Sequence, residues 1–240
     1  MDDVALMVCI FAAALLYSSV GHGGGSGYLA AMALFSVAPA TMRPAALILN
    51  VFVATIGTIR FYRAGRFSWS LFWPFALTSV PMAFLGGSLS LPGRAYKIAV
   101  GVVLLVAAAR LIWKPVADTP KPIPTDLALL CGAGIGLLSG LTGTGGGIFL
   151  TPLLLLSGWA ETKQAAGVSV AFILANSIAG LVGLAIKPIS LPPMLPYWIV
   201  AAVVGGLIGS ELGSKRLANP TMRRLLAAVL VIAGMKLVMT

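Results

Sequence analysis

Charge is what this sequence has least of. Charged residues fill 9% of its 240 positions, only 6 are acidic, and no Asp or Glu lies between Val4 and Ala117. So sparse a polar surface cannot keep a soluble domain in water, and 59% hydrophobic residues with a mean hydropathy of +1.03 exclude that class outright. The missing carboxylates also argue against a cation pathway through the first half. Histidine occurs once, at His22, and cysteine twice, at Cys9 and Cys131, both inside apolar stretches. A disulfide framework and a four-ligand zinc site are therefore not expected, and neither a metal nor a cofactor is called for. The 16 Lys and Arg give a net charge of +10, but no basic run interleaved with aromatics is present. Cations gather in the loops of membrane proteins, so nucleic acid is not an expected partner; the lipid bilayer is.

What the chain has is apolar length. Hydrophobic stretches fall near residues 4–20, 26–38, 44–63, 69–89, 94–113, 127–141, 148–157, 165–186, 195–213 and 222–240. The amino-terminal run follows Met1-Asp2-Asp3, acidic where a secretory signal would be basic, and reads as a retained segment. One linker interrupts the series, Lys114–Thr125, with four prolines and the charges of Lys114, Asp118 and Lys121. It divides the chain into a first membrane repeat (1–113), the linker (114–125) and a second repeat (126–240).

The halves read as copies. A shift of 122 residues lays Gly21-His22-Gly23-Gly24-Gly25 on Gly143-Thr144-Gly145-Gly146-Gly147 and pairs Cys9 with Cys131, Leu15 with Leu137, Leu16 with Leu138 and Leu34 with Leu156. Beyond the pentads the offset drifts, to Pro92 with Pro220 and Arg110 with Lys236. Charge sets the expected orientation. If each pentad turned no corner, the cations would divide evenly between the two faces. If each pentad folds the chain back, one face holds Arg60, Arg63, Arg66, Arg110, Lys114, Lys121, Lys163, Lys215, Arg216, Arg223 and Arg224. The other then holds Arg43, Arg94, Lys97, Lys187 and Lys236. Eleven against five makes the first face cytoplasmic, puts the amino terminus outside and inverts the second half. Most apolar pieces flanking the pentads are also short for a span of about 20 residues. The expected fold is thus an all-α polytopic membrane protein of two inverted repeats. Each is a glycine-tipped broken or re-entrant helical hairpin plus three transmembrane helices, with the two tips near the midplane.

A helix that begins inside a membrane leaves its first N–H groups unpaired, at several kcal/mol each in hydrocarbon. Gly23–Gly25 and Gly145–Gly147 directly precede apolar helical stretches. Free of side chains, such backbone can close around an oxyanion with the positive helix end behind it. The plainer reading is close helix packing, as expected of the ridge Gly205, Gly209, Gly213. His22 stands where the second copy has Thr144, either for proton transfer and anion selection or as a neutral cap. Ser26, Thr142 and Thr144 offer hydroxyls at the tips, and Asn50 and Asn176 offer amides from the next span of each half, as ligand contacts or as interhelical glue. Cys9 and Cys131 read as packing residues. Glu211, with Lys215 one turn later, reads as half of a local ion pair.

The pentads in context, GHGGGSGYLAAMAL and GLTGTGGGIFLTPLLLL, resemble those of the sulfite exporter TauE/SafE family over nearly the whole chain. The positions carrying the likeness are Gly21, Gly23, Gly24, Gly25, Gly143, Gly145, Gly146 and Gly147. The second copy fits through its apolar run and Pro152, whereas the first has Ser26-Gly27 and Ala30 in place of a proline. The resemblance implies a bacterial inner-membrane permease moving small sulfur-containing anions such as sulfite, sulfoacetate or other organosulfonates, usually outward. It is not expected to be an enzyme. Its expected partner is a small anion, with a homodimer as an allowed assembly. The expected mechanism is alternating access, one repeat rocking against the other. Two rivals are an intramembrane serine hydrolase using Ser26 and His22, after the GxSG pattern of Gly24–Gly27, and a noncatalytic membrane subunit.

Overall fold

The computed structural model describes residues 2–112, 121–215, 230–232 and 234–239, and helix is the regular structure found there. In chain order the helices are α1 (Asp2–Ser18), α2 (Gly25–Leu34), α3 (Pro39–Arg63), α4 (Trp69–Ser88), α5 (Gly93–Ile112), α6 (Thr125–Thr142), α7 (Gly147–Leu156), α8 (Thr162–Leu184) and α9 (Leu195–Lys215). Residues 230–232 and 234–239 are helical as well. Most of the linker Lys114–Thr125 lies outside the described residues, as do Arg216, Pro220, Arg223 and Arg224, the side chains of Arg110 and Lys215 and the surroundings of Gly213.

Helices α3, α4, α6, α8 and α9 are each long and apolar enough to cross a membrane. Leu77, Leu130, Val182 and Val200 are more than half exposed on the outside of the bundle, surface that only lipid would cover favourably. The protein is a polytopic α-helical membrane protein. With ten residues each, α2 and α7 rise about 15 Å and reach only half way.

The repeat is visible in the elements. Gly25–Leu34 and Gly147–Leu156 begin and end 122 positions apart, and α3 and α8 correspond within a residue at each end. Those two equivalent helices run antiparallel: Gly57 meets Val170 while Gly180 meets Leu47. Each pairs with the other half of the chain elsewhere too. The first hairpin arm, α1, lies along α9 in parallel, Gly205 against the Phe11 carbonyl and Gly209 against that of Leu15. The second arm, α6, lies along α4 in the same way, with Gly132, Gly136 and Gly140 against the carbonyls of Phe75, Ser79 and Ala83. Small residues allow backbones this close, where dispersion contacts hold helices together in lipid. The expected packing ridge therefore exists at Gly205 and Gly209. Its counterpart on α6 drew no notice in the sequence.

The halves interlock, because each hairpin arm is seated on a helix of the opposite half. Of the four pieces flanking the pentads, three are short of a span as expected and one is not: α6 has 18 residues, about 27 Å, close to a full hydrocarbon core. Gly143 at its end lies against Arg43, early in α3, and Gly21 lies against Ala166, early in α8. Each elbow thus overshoots the middle before the short helix returns.

Polar groups sort to two ends. At one end Arg43 donates to Leu89 O, Lys187 Nζ to Ser90 Oγ and Lys236 Nζ to Leu34 O, at 2.9, 3.0 and 2.9 Å. At the other, Arg60 Nη1 meets Glu211 Oε2 at 2.7 Å, and Gly167 lies against the Arg66 carbonyl. Glu211 thus joins α9 to α3. The Lys215 side chain proposed as its partner lies outside the described residues. Tyr62, Phe67, Trp69 and Phe72 cluster at that second end, as aromatics do at a membrane interface.

Candidate functional site

Both short helices start after a left-handed glycine. Gly24, with φ 103°, caps α2, and Gly146, with φ 82°, caps α7. A side chain would strain both, so the chain can double back here only on glycine. The missing proline at Ala30 makes no difference: the helix starts are equivalent.

The two starts meet. Gly25 lies against the Thr144 carbonyl and Asn50 Nδ2, Gly23 against Asn50 Oδ1 and Ile173, and Gly145 against Asn50 Nδ2, Ile173 and Ser177 Oγ. Asn50 and Ile173 stand within a residue of the midpoints of α3 and α8, so the contact lies half way through the bundle. The N–H groups of Gly23–Gly27 and of Thr144–Ile148 have no hydrogen-bond partner among the described residues. Two positive helix ends, with ten backbone donors that have no partner among the described residues, thus lie side by side at a place free of carboxylates among the described residues.

The structure brings most expected residues to this place. Asn50 is fully buried and bridges the elbows; its Nδ2 approaches Gly143 O at 3.5 Å and its Oδ1 has no partner. Asn176, also fully buried, accepts from Ser79 Oγ at 2.9 Å and leaves Nδ2 unpaired beside Gly146. Thr142 donates to Leu138 O at 2.7 Å; its bond to Thr144 Oγ1, at 3.0 Å, must then take its proton from Thr144. Ser26 donates to Tyr17 Oη at 2.8 Å, and Tyr28 Oη donates to Gly23 O at 2.7 Å. His22 is half-buried, edge-on to the Tyr17 ring, with Nδ1 3.2 Å from Val20 O. Gly21 and Gly143 lie at the outer turns of the elbows rather than at the meeting point. Cys9 and Cys131 join the apolar packing.

Tyr17, Ser177 and Arg43 escaped the sequence reading. The 122-residue shift, which lays Tyr17 on the buried, unpaired Ser139, was the available signal for the first. Arg43 is 6% exposed, and its guanidinium donates to Leu89 O, Gly86 O at 2.5 Å and Gly87 O at 2.6 Å. Those carbonyls end α4, the negative pole of that helix, which explains a buried cation with no acid partner among the described residues.

Tyr17, His22, Gly23–Ser26, Thr144, Ile148 and Ile173 enclose a hollow with room for about one water molecule. An anion of several atoms fits only if the elbows part.

Paired broken helices meeting at mid-depth in an all-helical bundle define a membrane-transporter class of architecture. The family model for the sulfite exporter TauE/SafE matches residues 6–237. The chain is also 39% identical over 242 residues to the "probable membrane transporter protein y4hK" of Sinorhizobium fredii (strain NBRC 101917 / NGR234), with 98% of each chain covered. The chain belongs to the sulfite exporter TauE/SafE family of membrane transporters.

Proposed function

We propose that this protein is a permease for small sulfur-containing anions, sulfite or organosulfonates, that binds them between the amino-terminal ends of α2 and α7. The observation that carries this reading is the meeting, half way along α3 and α8, of two helix starts whose ten first backbone amides have no partner among the described residues. In water such amides would be solvated; in a bilayer they need an acceptor, and a mobile anion is one. Asn50, Asn176, Thr142, Thr144 and His22 complete the site together with Gly23–Gly25 and Gly145–Gly147, while Ser26 gives its proton to Tyr17 rather than to the anion and Gly21 and Gly143 hold the outer turns.

The antiparallel run of α3 and α8 favours inverted repeats. The richer cationic end, with Arg60, Arg63, Arg66 and Lys163, is the cytoplasmic one by the positive-inside rule. This puts the amino terminus outside, in a bacterial inner membrane. Alternating access follows from rocking at the α3–α8 contact, but the moving bodies are α1, α3 and α9 against α4, α6 and α8 rather than one sequence half against the other. An interior-negative potential favours anion efflux by about 2.3 kcal/mol per charge per 100 mV, so export needs no further driving force. The hydrolase reading gains nothing from Ser26, which is 2% exposed and gives its proton to Tyr17.

Purified protein in liposomes should carry sulfite or an organosulfonate in preference to taurine and chloride, and Gly24→Leu and Gly146→Leu should each abolish flux while remaining monodisperse. Normal flux in either folded variant removes the site; no anion flux in the wild type removes the function.

A further inference from the structure

The hollow between the elbows holds one hydroxyl proton for which the described residues show no acceptor. Three hydroxyls line it: Tyr17, Ser26 and Thr144. The Thr144 proton goes to Thr142 Oγ1, since Thr142 gives its own to the Leu138 carbonyl. Tyr17 and Ser26 have two protons between them and a single mutual bond at 2.8 Å, and neither hydroxyl has another partner among the described residues. One proton is left over. With Ser26 donating, it is the phenolic proton of Tyr17, a side chain 2% exposed whose ring lies against Gly27 and at a steep angle to the His22 ring. A buried O–H without an acceptor costs about 1–3 kcal/mol, and the hollow beside Tyr17 is where an acceptor can reach it.

We propose that Tyr17 contacts the transported anion directly and sets its selectivity, giving its phenolic O–H to an oxygen of an oxyanion. The inference rests on the anion site proposed above and adds a chemical preference to it. Backbone amides at two helix ends attract any anion by charge. A single hydroxyl held at a fixed angle rewards a solute with directional lone pairs on a projecting oxygen, and so separates a sulfonate or sulfite from a halide of equal charge. The preference belongs to the first repeat alone. The equivalent of Tyr17 is Ser139, and the equivalent of Ser26 is Ile148, which has no hydroxyl.

The test is a competition in proteoliposomes between methanesulfonate and bromide, both monovalent across the working pH range, for the wild type, Tyr17→Phe and Ser26→Ala. Phenylalanine keeps the ring and removes only the hydroxyl. Tyr17→Phe should lower the methanesulfonate-to-bromide preference by about tenfold or more, the worth of one hydrogen bond to a charged group, with bromide flux retained. Ser26→Ala should keep most of the preference, because Tyr17 still has its proton. Thermal stabilisation of detergent-solubilised protein by each anion supplies a second reading of the same ratio. An unchanged ratio in folded Tyr17→Phe, an equal loss for both anions, or a preference abolished by Ser26→Ala would each overturn the assignment. If Tyr17→Phe does not fold, retention of the preference in Ser26→Ala supports it and loss refutes it. A wild type that binds and carries neither anion defeats the underlying anion site instead.

Discussion

The two elbows have the same backbone and different chemistry. Both turn on left-handed glycines and start a ten-residue helix at mid-depth. Around the first, aromatic hydroxyls do the holding: Tyr28 ties down the Gly23 carbonyl and Tyr17 receives Ser26. Around the second, small polar side chains do so, Thr142 with Thr144 and Asn176 with Ser79. Their seats are reversed as well. Arm α6 has its own glycine stripe and presses it on α4, whereas arm α1 is bulky and the glycines belong to its partner α9. The two elbows share what the backbone requires and differ in the side chains around it.

The largest effect should come from the seats. Gly136→Leu forces a side chain into the Ser79 carbonyl and should yield no monodisperse protein on size exclusion in detergent, while Gly134→Leu, with open space around it, should elute like the wild type. Equal behaviour of the two would mean the stripe does not hold the arm.

Next come the matched helix starts. A methyl on Gly25 meets the Thr144 carbonyl and the Asn50 amide, whereas one on Gly147 meets the movable end of Ile173. Gly25→Ala should therefore impair flux much more than Gly147→Ala. The reverse order would say that the elbows meet elsewhere.

The asparagines sharpen the contrast further. Asn50→Leu, which removes the group shared by both elbows, should cut flux by about tenfold or more with the fold retained. Asn176→Leu leaves the Ser79 hydroxyl buried without its acceptor and should cost about 1–3 kcal/mol in thermal or denaturant stability. The smallest effect belongs to Glu211→Gln. It loosens an exposed bond between α3 and α9 and should change stability by less than about 1 kcal/mol, least of all at high salt.

Much of this was legible before any coordinates. Hydropathy marked the helices, and the glycine runs marked the two points where a helix restarts in lipid. Gly25 and Gly147 are the observed first residues, because only glycine accepts the left-handed turn before them. Arg43, Lys187 and Lys236 share one end and Arg60 and Arg66 the other, as the sequence grouped them. Harder to read were residues whose role depends on a distant partner. Tyr17 looked like one more apolar residue of α1, and nothing local says that its hydroxyl faces a hollow shared with Thr144. Arg43 looked like an interfacial charge, and its burial against the end of α4 needs the far end of another helix.

By itself, the sequence determined where helices run and where they break, since these follow from the hydrogen-bond needs of backbone in lipid and from local conformational freedom. Only the tertiary structure decided that each arm rests on the opposite half, how deep the elbows reach and which hydroxyl proton remains unclaimed. The seats depend on contacts between helices far apart along the chain, as Gly136 on Ser79 and Gly209 on Leu15, which interhelical packing selects and no local pattern encodes.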